Sequence, residues 1–363
     1  MRLSVVVPVY NIREAVIGTL VSLARLDPPP HEVIVVDDGS TDGSGQVVES
    51  FVESHPLPRF VHIRQANAGV SVARNVGLTE VTGDYVLFLD GDDTVEPELV
   101  KVVAEAHAAH PPFVDLVCWR YHDEKQEAFG QGLGGRWGEL PSSASGVDVM
   151  RRLLIRHDFF MHISSVAYRV DFLRDEKLHF TLGCAVGEDT EFHYKALARA
   201  ARVLAVSSVL STYVWRPASV LNTFDSSHFD SVAARIRVAD FLITQDDSAL
   251  VEFAEVFKDQ AVRRFVDHLK EFARGYPGGS AQVLAAVEES NPGMVSQIGG
   301  LIRERKRAGL VVPRNWTLLR AWPWLWVKRV RWKETTADSR RFRLVSGAPQ
   351  SQGFREFGRG VGD

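Results

Sequence analysis

Four apolar runs in the first 90 residues constrain this chain more than any other feature of its sequence. Residues 3–9, 32–36, 60–63 and 85–89 are rich in Val, Ile, Leu and Phe without helical period, the pattern of strands buried on both faces. Helical spacings lie between them: 14–26 with Val16, Ile17, Leu20, Leu23 and Ala24, then 46–52, then 71–80 carrying Arg74 and Asn75. Strands alternating with helices imply right-handed crossovers, hence an α/β fold with a mostly parallel sheet covered by helices on both faces. Ligands in such sheets collect at the strand C-terminal ends. The polar sets Tyr10-Asn11, Asp37-Asp38, Asn67 and Asp90-Asp92 all fall at those ends, so one crevice is expected to gather them.

The fourth run ends in Asp90, Asp92 and Asp93. Three carboxylates this close repel one another and resist desolvation unless a cation sits among them, and oxygen ligands suit Mg2+ or Mn2+. Mg2+ takes its remaining ligands from water and substrate phosphates, which makes a metal-diphosphate site the sharp reading and a solvated acidic turn the plain one. No GxGxxG follows the first strand and no GxxxxGK[ST] occurs, which disfavours a dinucleotide fold and a P-loop.

With 363 residues, 45% of them hydrophobic, the chain can build one large domain or two ordinary ones. Its formal charge of -4 hides an asymmetry: residues 301–363 hold 15 Lys and Arg against 5 Asp and Glu, residues 1–300 hold 27 against 41. Such a tail calls for an anionic partner or for the acidic body itself. Cys118 and Cys184 are too few for a disulfide framework or a zinc site, which points to a reducing compartment. The N-terminus lacks a signal-peptide pattern and no segment has transmembrane length. A cytoplasmic protein is expected, with peripheral attachment at the inner face of the plasma membrane as an option.

Further along, 97–107 reads as helix, 116–121 as strand, 122–145 as loop or insertion, and 146–155 and 165–173 as further elements. Gly187-Glu188-Asp189 opens a helix running to about residue 200, and 203–214 looks like a closing strand, ended by Trp215-Arg216-Pro217. Helical period returns at 232–244, 250–273 and 281–288, a C-terminal helical extension. Residues 314–333, RNWTLLRAWPWLWVKRVRWK, gather five of the eight Trp with six Lys or Arg. That composition suits a membrane-interfacial segment, or core aromatics with a basic face docked on the acidic body. No nucleic-acid motif accompanies it, so no nucleic-acid partner is expected. The last 30 residues read as disordered. The expected division is 1–225, 226–312, 313–333 and 334–363.

The blocks SVVVPVYN, VIVVDDGSTDGS, NAGVSVARNVG, GDYVLFLDGDD, GED before a helix, and YVWRPASV resemble, in order and spacing, the family 2 glycosyltransferases with the GT-A fold, a Rossmann-like α/β architecture. The resemblance covers about residues 2–225. It implies inverting transfer of a sugar from a nucleotide-diphosphate donor, usually a UDP-sugar, to a hydroxyl, assisted by Mn2+ or Mg2+. Carried over, Pro8, Tyr10, Asn11, Asp38, Asn67, Arg74, Asp90 and Asp92 are donor-binding residues. Asp38 would accept from a base ring N–H, Arg74 would pair with the diphosphate, and Asp90 would face the ribose or a metal-bound water. Asp92 would ligate the metal, with Asp93 a second ligand or a structural partner. Asp189 matches the general base, Glu188 an acceptor-binding or orienting residue, and Trp215 and Arg216 the acceptor or diphosphate side. Taken singly, Asp38 is a turn residue, Arg74 a solvated charge and Asp189 a helix N-cap. The Q/R-x-x-R-W block of processive members is missing after Asp189; residues 328–332 begin with Lys and lie too far on. The expected acceptor is a cell-envelope glycan, lipid-linked sugar or anionic wall polymer. A catalytically silent sugar-nucleotide or glycan-binding module is one rival. A nucleotidyltransferase is another, disfavoured because PVYNIREA is not a Gly-rich basic loop.

Overall fold

Strands β1 (Leu3–Val9), β2 (Glu32–Asp37), β3 (Phe60–Arg64), β4 (Tyr85–Phe88), β5 (Thr94–Val95), β6 (Leu116–Asp123), β7 (Val166–Arg169) and β8 (Val203–Tyr213) form one sheet in the order β3-β2-β1-β4-β7-β6-β8-β5. They belong to a computed structural model that describes residues 1–310 except 57, 111–112, 125–143, 217–224 and 276–279. The Trp-rich segment at 314–333, the tail at 334–363 and most of the 122–145 stretch therefore lie outside the described residues. The β3-β2-β1-β4 pairings and β6-β8 are parallel, while β7 and β5 run against their neighbours. This is the mostly parallel sheet that the strand-helix alternation implies. β8 is not its edge, however. The two-residue β5, too short to carry a period, pairs outside it.

The helices α1 (Arg13–Ala24), α2 (Ser44–Ser54), α3 (Val70–Glu80), α4 (Leu99–Ala108), α5 (Gly146–Arg151), α6 (Val170–Asp175) and α7 (Glu188–Arg199) cover the sheet. Side chains alternate along a strand, so β1 sends Leu3, Val5, Val7 and Val9 into a cluster with Val16 and Leu20 of α1, Val48 of α2 and Val103 of α4. Val6 points the other way, toward Ala73 of α3 and Phe192 and Ala196 of α7. Each aliphatic side chain fully buried in this way contributes about 1.5–3 kcal/mol. Gly77 lets α3 lie directly on β1: a Cβ there would stand 2.3 Å from Val6 Cγ1. That approach brings Arg74, one turn earlier on α3, to the strand ends.

Beyond the sheet come α8 (Asp230–Ile243), α9 (Ser248–Gly275), α10 (Ser280–Ser290) and α11 (Met294–Arg307). The first three follow the expected helical periods; α11, interrupted by Gly299-Gly300, does not stand out in the sequence. Val238 and Leu242 of α8 and Phe253 and Phe257 of α9 belong to the same apolar cluster as Val6 and Phe192. Farther along α9, Ala261, Phe265 and Leu269 join Phe229, Val283, Met294 and Ile298 in a separate cluster. Among the described residues, no helix is long and apolar enough to cross a membrane.

Candidate active site

The strand ends meet as the parallel topology requires. Pro8, Tyr10, Asp38, Asn67, Arg74, Asp90, Asp92, Glu188, Asp189 and Arg216 all line one cavity of about 450 Å3. Three residues singled out from the sequence, Asn11, Asp93 and Trp215, are not among its lining. Asn11 takes a left-handed backbone conformation at φ 50°, and its side-chain oxygen accepts from the Thr41 N–H at 2.8 Å. It fastens the loop after β1 to the loop after β2. The Trp215 N–H donates to Glu124 Oε2 at 3.1 Å.

Asp38 is 2% exposed, and its carboxylate accepts from Gln65 Nε2 at 2.7 Å and from the N–H groups of Ala68 at 2.9 Å and Gly69 at 2.8 Å. These bonds hold the chain that enters α3. An ionised carboxylate has about four lone-pair positions, so three donors do not exhaust it.

Arg74 is buried at the cavity wall. Its Nη2 donates to Asp90 Oδ1 at 2.6 Å and its Nη1 to Glu188 Oε1 at 2.7 Å. Burial works against its charge, but Asp90 and Glu188 outweigh that and hold its pKa above the ordinary arginine range. Glu188 fares differently in the same pair. Burial, then the neighbouring Asp189, push its carboxyl up to about 7 against the pull of Arg74. The asymmetry has a cause: Arg74 has two carboxylates to itself, whereas Glu188 shares one cation and faces another anion.

Gly187, at φ 89° and with a Cβ position only 3.0 Å from Ser231 Cα, turns the chain into α7 and sets Glu188 and Asp189 at its first turn. Asp189 Oδ1 accepts from the Thr190 N–H at 2.6 Å. Among the described residues no cation is bonded to it.

At the acidic turn, Asp93 is buried, with Oδ2 accepting from Ser164 Oγ at 2.7 Å and Oδ1 from the Val214 N–H at 3.1 Å. Burial, then Asp90 and Asp92, raise its pKa well above the carboxylate range. Burial and Asp90 also raise Asp92, opposed by Arg216, whose Nε donates to Asp92 Oδ2 at 2.8 Å and whose Nη2 contacts the same oxygen. Asp90, Asp93 and His162 offer ligand atoms within 4.8 Å of one another. Two carboxylates that repel each other until a cation joins them, with an imidazole beside them, fit a divalent ion such as Mn2+ or Mg2+. Asp92 stands outside that cluster, engaged by Arg216. His162 carries no signal in the sequence; it arrives through the turn Ile163–Ser165 that leads into β7.

The profile described as glycosyl transferase family 2 matches residues 4–174. Glycosyltransferase GlyA of Streptococcus pneumoniae is 29% identical over 222 residues, covering 60% of this chain and 31% of that protein. The poly(ribitol-phosphate) beta-N-acetylglucosaminyltransferase TarS of Staphylococcus aureus is 27% identical over 310 residues, covering 84% of this chain and 49% of that protein. The chain thus spans half or less of the length of these curated relatives. The crystal structure of TarS 1–349 in complex with UDP-GlcNAc matches with a TM-score of 0.60 at 22% identity, covering 86% of this chain and 93% of that one, a likeness of fold.

Proposed function

Through residues 4–174 the chain belongs to glycosyl transferase family 2, and from that premise we propose that it is an inverting glycosyltransferase using a nucleotide-diphosphate sugar, a UDP-sugar first among candidates. The observation that carries this reading is the placement of Asp189, a carboxylate bonded to no cation among the described residues, in one cavity with Asp38, Arg74, Asp90 and Asp92. A volume of about 450 Å3 is in keeping with a small-ligand site. UDP-GlcNAc in the matching TarS structure supports the choice of a uridine donor. A hydroxyl of a cell-envelope glycan, lipid-linked sugar or wall polymer is the acceptor, supported by the wall polymer in the name of TarS. On this reading it works in the cytoplasm, with peripheral attachment at the inner face of the plasma membrane as an option.

In this mechanism Asp189 takes the proton of the acceptor hydroxyl as that oxygen bonds to the anomeric carbon. The bond from this carbon to the diphosphate oxygen breaks on the opposite face, and its electron pair leaves with the diphosphate. Configuration inverts, and no protein nucleophile is needed. Arg74, fixed at the wall, and Arg216, at the rim, place positive charge where negative charge develops. Asp90, Asp93 and His162, with Asp92 beside them, would hold Mn2+ or Mg2+, which supplies further positive charge for the departing diphosphate.

The test incubates the protein with UDP-, GDP-, CDP- and dTDP-sugars, with Mn2+ or with EDTA, and follows released nucleotide diphosphate and thermal shift. Metal-dependent UDP release is expected, reduced about 10²–10⁴-fold in Asp189→Asn with donor affinity unchanged. Full turnover in that variant, or loss of donor affinity instead of turnover, would sink the assignment.

A further inference from the structure

The donor cavity does not explain how an acceptor hydroxyl approaches Asp189. A second cavity of about 290 Å3 shares a single lining residue with the first among the described residues, and that residue is Asp189. Thr190, His193 and Tyr194 of α7 form part of its wall, and the helical extension supplies Arg235 from α8 and Gln260 from α9. We propose that this second cavity receives the acceptor, and that the acceptor carries a phosphate monoester or diester beside its reactive hydroxyl, held by Arg235 with Arg264 next to it. The proposal rests on Asp189 as the base.

Arg235 donates through Nη1 to the Ser231 carbonyl at 2.7 Å, and among the described residues no carboxylate forms an ion pair with it. Arg264 donates through Nε to the hydroxyl of the same Ser231 at 3.1 Å and likewise has no carboxylate partner there. Arg235 at the cavity wall and Arg264 outside its lining gather on one serine and repel each other, and a half-buried cation with no ion-paired carboxylate is costly. Burial and then Arg264 lower the pKa of Arg235 to about 10, opposed by Tyr194 and Asp189. A planar guanidinium with free N–H groups matches a phosphate in shape as well as charge.

A second, independent feature lines the same space. His193 is 6% exposed, its Nδ1 is bonded to the Tyr168 hydroxyl at 2.5 Å, and its Nε2 is buried without a partner among the described residues. Burial keeps this imidazole neutral, with a pKa down to about 4. With Tyr168 donating to Nδ1, the hydrogen sits on Nε2, a buried donor with no acceptor among the described residues. An acceptor lodged between Arg235 and His193 would leave its hydroxyl at Asp189, the wall common to both cavities.

The test titrates the full chain, loaded with UDP, with sn-glycerol 3-phosphate and with glycerol by calorimetry, and co-sediments it with phosphatidylglycerol or phosphatidylcholine vesicles. A phosphorylated probe is expected to bind and glycerol not. Arg235→Gln should weaken that binding about 10- to 100-fold, the range for losing a charge-assisted hydrogen bond, without changing UDP affinity. Arg264→Gln, at an exposed position, should weaken it in the same direction and keeps the test valid if Arg235→Gln does not fold. Binding confined to phosphatidylglycerol vesicles identifies a lipid-borne phosphate, and binding of glycerol 3-phosphate a soluble or polymeric one; either supports the proposal. Equal binding of glycerol and glycerol 3-phosphate, no binding of any phosphate probe, or binding indifferent to both variants overturns it. Absence of UDP binding by the unaltered chain would instead overturn the donor reading, so the two failures are distinct.

Discussion

Glu188 shows how a single buried carboxylate can set the pH response of the fold. Its ordinary pKa is 4.5 and its folded value is pushed up to about 7 by burial and Asp189. Between these values the unfolded chain has already released the proton that the folded chain retains, so stability falls as pH rises from 4.5 toward 7. Below that window both states hold the proton and the contribution is fully present. Glu188→Gln keeps a hydrogen-bond acceptor for Arg74 and removes the titration. Thermal midpoints measured at pH 5 and pH 8 should therefore differ less in the variant than in the parent, and an unchanged difference would rule Glu188 out as the group responsible. The same residue explains part of what the sequence hides: GED before a helix is readable as a motif, but Arg74, which pairs with both Glu188 and Asp90 and opposes the rise of Glu188, comes from 114 positions earlier.

Among elements, α3 is the piece on which the donor side turns. Its close seat on β1 depends on Gly77, and Gly77→Ala would force a Cβ to 2.3 Å from Val6 Cγ1. Overpacking of this kind costs about 1–3 kcal/mol, more than the roughly 1 kcal/mol that alanine gains in helix propensity. Urea unfolding should show the loss, and UDP affinity should fall with it because Arg74 rides on the displaced helix. The elements that deliver Tyr10, Asp38, Asn67 and Asp90 were legible because each site residue lies within three positions of the end of its own strand, so local period and the parallel-sheet rule suffice. His162, His193 and Arg235 were not. They follow no strand-end rule, and their positions are fixed by packing between segments far apart in sequence. β5 escaped for a simpler reason, being only two residues long.

At the scale of the whole molecule, α9 ties the sheet to the helical extension, since Phe253 and Phe257 are buried with Val6 and Phe192 while Phe265 and Leu269 are buried with Phe229 and Ile298. Phe257→Ala should cost about 3–5 kcal/mol by opening a cavity at the junction. We expect calorimetry of the parent to give one unfolding transition; two well-separated transitions would argue that the extension is an independent unit. The long tie between Arg74 and Glu188 also bears on how the protein is born. On a ribosome adding about 5–20 residues per second, the 114 positions that separate the partners take roughly 6–23 s to appear. Through that interval β1 to β4 and the acidic turn exist with Arg74 only half satisfied and Asp189 not yet made. The donor side is thus laid down first, and its partner Glu188 and the neighbouring Asp189 follow only just past the middle of the 363 residues.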